Sequence, residues 1–84
     1  MSNNMTMILT APLTGTFYRS PSPEDPPYVE VGQQVKKGDV VCIVESMKVF
    51  TELRSEWKGT VTKILVEDED AVKIHQPLIE LELT

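Results

Sequence analysis

The stretch Val40-Val41-Cys42-Ile43-Val44-Glu45-Ser46-Met47-Lys48-Val49-Phe50-Thr51-Glu52-Leu53 decides the fold. Its first five residues form an unbroken apolar run of strand length, the pattern of a strand covered on both faces. Val49 to Leu53 is a second strand-like segment. The few residues between them leave room for a tight turn, with Met47-Lys48 at its tip. A lysine at a hairpin tip holds its amine clear of the fold, where another protein reaches it. Acylation needs the neutral amine, so a modifying enzyme has to remove the proton. Taken alone, the local spacing favours an ordinary solvated turn lysine.

The same pattern continues in both directions. Met7-Ile8-Leu9 and Gly15-Thr16-Phe17-Tyr18 are short apolar segments joined through Pro12. Tyr28-Val29-Glu30-Val31 alternates as a half-buried strand does. Gly59 to Val66 and Leu78 to Leu83 complete the set, and turns carry Gly32, Gly38, Gly59 and Pro77. No long segment shows a 3.6-residue apolar period. Short strands separated by regular turn signals predict an all-β sandwich or barrel.

The chain also repeats itself. Val29-Glu30-Val31 to Lys36 lies over Val66-Glu67-Asp68 to Lys73 at an offset of 37. Continued at that offset, the apolar run 40–44 falls on Pro77 to Leu81. Gly15-Thr16-Phe17 lies over Gly59-Thr60-Val61 at an offset of 44, and Leu9 then falls on Leu53. The offsets differ by seven residues, an excess carried by the first half within Arg19-Ser20-Pro21-Ser22-Pro23-Glu24-Asp25-Pro26-Pro27. Neither half buries its own apolar face, so the two must pack together with pseudo-two-fold symmetry.

Size and charge narrow the functions. With 84 residues the chain is one domain. A domain this small buries only roughly 60% of its unfolded surface, which disfavours a deep, self-sufficient active site. A net charge of −5 argues against general nucleic-acid binding. No apolar run reaches the roughly 18 residues of a membrane helix. The polar start Met1-Ser2-Asn3-Asn4 is not a secretory signal, and the lone Cys42 cannot form an internal disulfide, so a cytoplasmic protein is expected.

Glu45-Ser46-Met47-Lys48 at the centre of the repeat resembles the biotin-attachment motif, usually Glu-Ala-Met-Lys. Gly15 to Pro23, Glu30 to Gln33 and Cys42 to Glu45 resemble the biotin carboxyl carrier subunits of bacterial-type acetyl-CoA carboxylase. The resemblance runs from about Leu9 to Glu82. It implies a flattened barrel of two four-stranded antiparallel sheets, with biotin on Lys48 at one end and the termini at the other. It divides the chain into a flexible segment 1–6 and a biotinyl domain 7–84, with a protruding thumb at about 19–27. The thumb's prolines restrict its loop entropy.

By the same resemblance, Glu45, Ser46, Met47 and Ser20 form the biotin site with Lys48. Ser20 stands where the family usually has a threonine that can hydrogen-bond the biotin ureido group. Ser46 and Val49 depart from the usual alanine and methionine. Serine before the central pair also occurs in lipoyl carriers of glycine-cleavage systems, so a lipoyl carrier domain of such a system or of a dehydrogenase is the alternative. Met47 favours biotin, since lipoyl domains typically have aspartate there. The implied role is non-catalytic. A biotin protein ligase loads Lys48. Activated carboxylate then travels from biotin carboxylase to carboxyltransferase, for malonyl-CoA formation in fatty-acid synthesis.

Four other features read as structural. His75 is expected in a turn, Cys42 in the core, Trp57 as a surface-packed turn residue and Glu67-Asp68-Glu69-Asp70 as a solvated acidic turn. The acidic run lacks the spacing of a calcium loop.

Overall fold

The computed structural model describes residues 5–84. Eight strands run in chain order: β1 (Thr6–Thr10), β2 (Gly15–Tyr18), β3 (Gln34–Val35), β4 (Val40–Ser46), β5 (Val49–Arg54), β6 (Gly59–Ile64), β7 (Ala71–Val72) and β8 (Pro77–Leu83). They form two four-stranded antiparallel sheets, ordered β1-β8-β6-β3 and β5-β4-β2-β7.

Each sheet is the image of the other at the offsets read from the sequence. Adding 37 carries β3 onto β7 and β4 onto β8, while adding 44 carries β1 into β5 and β2 into β6. The turns repeat as closely as the strands. The Glu30 N–H donates to the Gln33 side chain, and the Glu67 N–H donates to the Asp70 side chain. Lys36 N–H to Asp39 recurs as Lys73 N–H to Gln76. Between the halves, Gly32 N–H donates to the Val61 carbonyl, and Glu69 N–H donates to the Phe17 carbonyl. Every one of these exchanged bonds respects both offsets.

The symmetric turns need a left-handed residue. The first half places Gly32 and Gly38 there, at φ 94° and 96°. The second half places Glu69 and His75 there, at 71° and 72°. A side chain in that region costs about 1 kcal/mol or more, and the reciprocal turn bonds hold it in place. His75 is thus a turn residue, as expected.

Core residues also occur in pairs. Phe17 and Val61, Val35 and Val72, Val41 and Leu78, Cys42 and Ile79, and Val44 and Leu81 are all buried. Cys42 packs as a small hydrophobe. Ala11 pairs with buried Ser55, whose hydroxyl donates to the Trp57 carbonyl at 2.6 Å and so is satisfied locally. Trp57 is half-buried against this core.

Three boundaries differ from expectation. Tyr28–Val31 is not a strand: Val29 is buried but Val31 is exposed, and the turn closed by Gln33 N–H to Glu30 C=O takes the place of a ladder. The strand falls on Gln34–Val35 instead, as its mate falls on Ala71–Val72. The strand from Gly59 ends at Ile64, short of Val66. Of the segment 1–6, residues 1–4 lie outside the described residues, and Thr6 already pairs with Glu82 in β1.

Candidate functional site

The β4–β5 hairpin closes on the Ser46–Val49 pair, leaving Met47 and Lys48 as a two-residue loop. Their φ values are 51° and 65°. Positive φ at both central residues is the signature of a type I′ turn, whose twist matches that of the flanking strands. Asn-Gly is the usual occupant, so Met-Lys holds this shape at a conformational cost. Glu45 offsets part of it, because its Oε2 accepts the Lys48 N–H at 2.8 Å. Ser46 lies half-buried at the end of β4, while Met47 is 91% exposed. The Lys48 side chain is exposed, and among the described residues the one ion pair is Arg54 with Glu52. An amine that is solvated, unpaired and carried on a fixed turn fits a covalently attached group. The four hairpin residues expected at the site are therefore together.

Ser20 lies in the thumb, which leaves β2 after Tyr18 and returns at Tyr28. Tyr28 N–H to the Arg19 carbonyl, 2.8 Å, closes its neck. Arg19 N–H donates to Asp68 Oδ1 at 2.9 Å, and the Arg19 Nη2 donates to the Val29 carbonyl at 3.1 Å. Within the loop, Ser22 Oγ donates to Asp25 and the Ser20 hydroxyl donates to the Ser22 carbonyl.

Beneath the thumb lies a groove of about 280 Å³. Tyr18, Ile43 and Phe50 line it from the outward side of β2, β4 and β5, and Ser20, Pro21, Ser22 and Pro23 from the thumb. Asp68 and Glu69 form the remaining edge. Phe50, two residues beyond Lys48, joins the groove to the hairpin, and its ring lies 6.4 Å from that of Tyr18. Ile43 is 8% exposed although it faces away from the core. This is the second covered face expected of the 40–44 run. Sequence reading placed Ser20 and the hairpin at the site and missed Tyr18, Ile43, Phe50, Asp68 and Glu69. A contrast between the repeats could have revealed the first three, since their mates are Thr62, Glu80 and Thr6.

A family model described as biotin-requiring enzyme matches residues 8–81. The chain belongs to the biotin-requiring enzyme family. Within that family it is similar to the biotin carboxyl carrier protein of acetyl-CoA carboxylase from Haemophilus influenzae. The two are 49% identical over 75 residues, 89% of this chain and 48% of the relative. The Pseudomonas aeruginosa protein of the same name is 47% identical, over 88% of this chain and 47% of the relative. The chloroplastic carrier protein 2 of Arabidopsis thaliana is 49% identical, over 83% and 28%. This chain thus spans half or less of these relatives' length. Among solved structures it is similar to the Kluyveromyces lactis urea carboxylase, with a TM-score of 0.77 and 27% identity, over 96% of this chain and 6% of that one. A single-chain, multi-domain long-chain acyl-CoA carboxylase shares the fold at a TM-score of 0.79 and 22% identity, over 94% of this chain and 7% of that one.

Proposed function

We propose that the chain is the biotin-bearing domain, residues 7–84, of the carrier of an acetyl-CoA carboxylase, with biotin joined to Lys48 through an amide. The observation that carries this reading is an exposed lysine at the tip of a left-handed two-residue turn, next to an apolar groove roofed by the 19–27 thumb. The relatives' names support the same assignment.

Each residue has a part to play. The Met47-Lys48 turn projects the amine into solvent for a biotin protein ligase. Glu45 fixes the turn through the Lys48 N–H, and Ser46 closes the strand pair beneath it. Met47 leaves an apolar surface beside the amine for the partner to read. When bound, biotin supplies a ureido nitrogen that can take up and surrender a carboxyl group. Tyr18, Ile43 and Phe50 offer an apolar floor for its ring system. Ser20 has spent its hydroxyl proton on the Ser22 carbonyl, so its oxygen is free to accept a ureido N–H. The chain supplies no active site of its own. It serves biotin carboxylase and carboxyltransferase in turn, and tethering raises the effective concentration at each to roughly millimolar. We place this work in the cytoplasm. No helix is long and apolar enough to cross a membrane among the described residues.

Reconstitution tests the assignment. Biotin ligase should load the chain. The loaded chain should then support malonyl-CoA formation from acetyl-CoA when biotin carboxylase, carboxyltransferase, ATP and bicarbonate are supplied. Loading without transfer to acetyl-CoA would refute the proposed acceptor.

A further inference from the structure

The groove has a charge that the attachment reaction does not need. Its edge is Asp68 and Glu69, and among the described residues no lysine or arginine lines it. The Arg19 guanidinium, the one cation of the thumb, donates to the Val29 carbonyl and is not part of the wall. Amide formation also removes the positive charge of Lys48. A ring resting in the groove therefore meets two carboxylates with no cation of the wall to offset them.

Biotin itself is uncharged at the ureido ring, whereas the carboxyl-bearing form is an anion. We infer that Asp68 and Glu69 make the groove selective for the uncharged form and expel the ring once it carries a carboxylate. The inference rests on the groove being the resting place of the ring, as proposed above, and adds a direction to its use. The empty cofactor is sheltered under the thumb, and the charged one is released toward a partner. The fold holds the Asp68 carboxylate and the backbone from which the Glu69 side chain extends. Asp68 accepts the Arg19 N–H, and Glu69 sits at a left-handed position whose N–H is bonded to the Phe17 carbonyl. Two carboxylates each roughly 6 Å from an added negative charge, at a solvated surface, would weaken docking by about tenfold at low salt. Ionic strength near 1 M shortens the screening length to about 3 Å and removes most of that effect.

Backbone amide NMR on the chain loaded at Lys48 tests this directly. Three adducts are compared: biotin, a stable N-carboxymethyl biotin, and the methyl ester of the latter. Biotin and the ester should shift the amides of Ser20, Ser22, Phe50 and Glu69 relative to the unmodified chain. The charged adduct should shift them clearly less, as about tenfold weaker docking requires. In Asp68→Asn/Glu69→Gln, which keeps the acceptor for Arg19, the charged adduct should shift them in full. Equal shifts from charged and neutral adducts in the natural chain would overturn the inference and leave the groove assignment intact. Exclusion of the ester would overturn it too, by showing that bulk decides. If biotin itself shifts none of these amides, the groove is not the resting place and both readings fall.

Discussion

The outer faces of the two sheets are built on one backbone and carry opposite surfaces. On β2, β4 and β5 the outward residues include Tyr18, Ile43 and Phe50; their symmetric mates are Thr62, Glu80 and Thr6. The inward residues diverge far less: Phe17 and Val61, Val35 and Val72, Val41 and Leu78, Cys42 and Ile79, and Val44 and Leu81 are apolar and buried in both halves, and Ser55 opposite Ala11 is the polar exception. The core requirement has thus kept the halves alike while function has separated their exteriors. One exterior became an apolar floor with a seven-residue roof. The other has no such floor: exposed Ile8 stands opposite Glu80, and the Thr62 hydroxyl donates to the Glu80 carboxylate, 2.8 Å, where the first half has Tyr18 opposite Ile43.

If the interior is the shared part, damage there should be severe in either half. Leu81→Ala should cost about 2–5 kcal/mol, read by chemical denaturation. Val44→Ala, its mate, should lose less in the same direction, because fewer atoms are removed. A negligible loss for either would break the equivalence.

The next effect belongs to one half alone. Burial pushes the Cys42 thiol up to about 12, whereas Ile79 at the matching position cannot ionise. The unfolded chain releases that proton near pH 8.5, so above it the unfolded state binds fewer protons than the folded one. Stability should therefore fall as pH rises from about 8.5 toward 12, by up to about 1.4 kcal/mol per pH unit from this group. Cys42→Ala should be less stable at neutral pH yet lose that part of the alkaline slope. An unchanged slope would mean the thiol is not protected.

Smaller effects concern the roof. Asp68→Ala removes the acceptor for the Arg19 N–H and should cost about 0.5–1.5 kcal/mol. It should also speed amide exchange at Arg19, while Asp68→Asn should not. Deleting Ser20–Pro26 gives the first half the connection that the second already has. We expect a stability change within about 1 kcal/mol and normal acceptance of biotin, but poor turnover with the partner enzymes. Unfolding would show the thumb to be structural, and unchanged turnover would show it to be idle.

Much of this arrangement was legible in the sequence. The offsets of 37 and 44 already contained the pseudo-two-fold equivalence of the strands and the place of the insertion, and the Val44–Phe50 segment contained the hairpin, while the strand order came only from the structure. Period-two alternation failed at Tyr28–Val31 because the backbone there is committed to a turn whose donors go to side chains and to the other half. The left-handed positions were visible at Gly32 and Gly38 and hidden at Glu69 and His75, where ordinary side chains are forced into the same shape. Asp68 and Glu69 read as a solvated acidic turn, which they are. Their position on the edge of the groove depends on how the thumb folds over it, a contact between segments 49 residues apart.

Everything proposed for the hairpin and the thumb depends on biotin at Lys48. Intact mass and streptavidin binding, after co-expression with a biotin ligase, test it most directly when the natural chain is compared with Lys48→Arg. Arginine keeps the charge on the turn but does not form the amide. One biotin is expected on the natural chain and none on the variant, with both equally folded. Labelled Lys48→Arg, or a natural chain bearing lipoyl or no adduct, would contradict it.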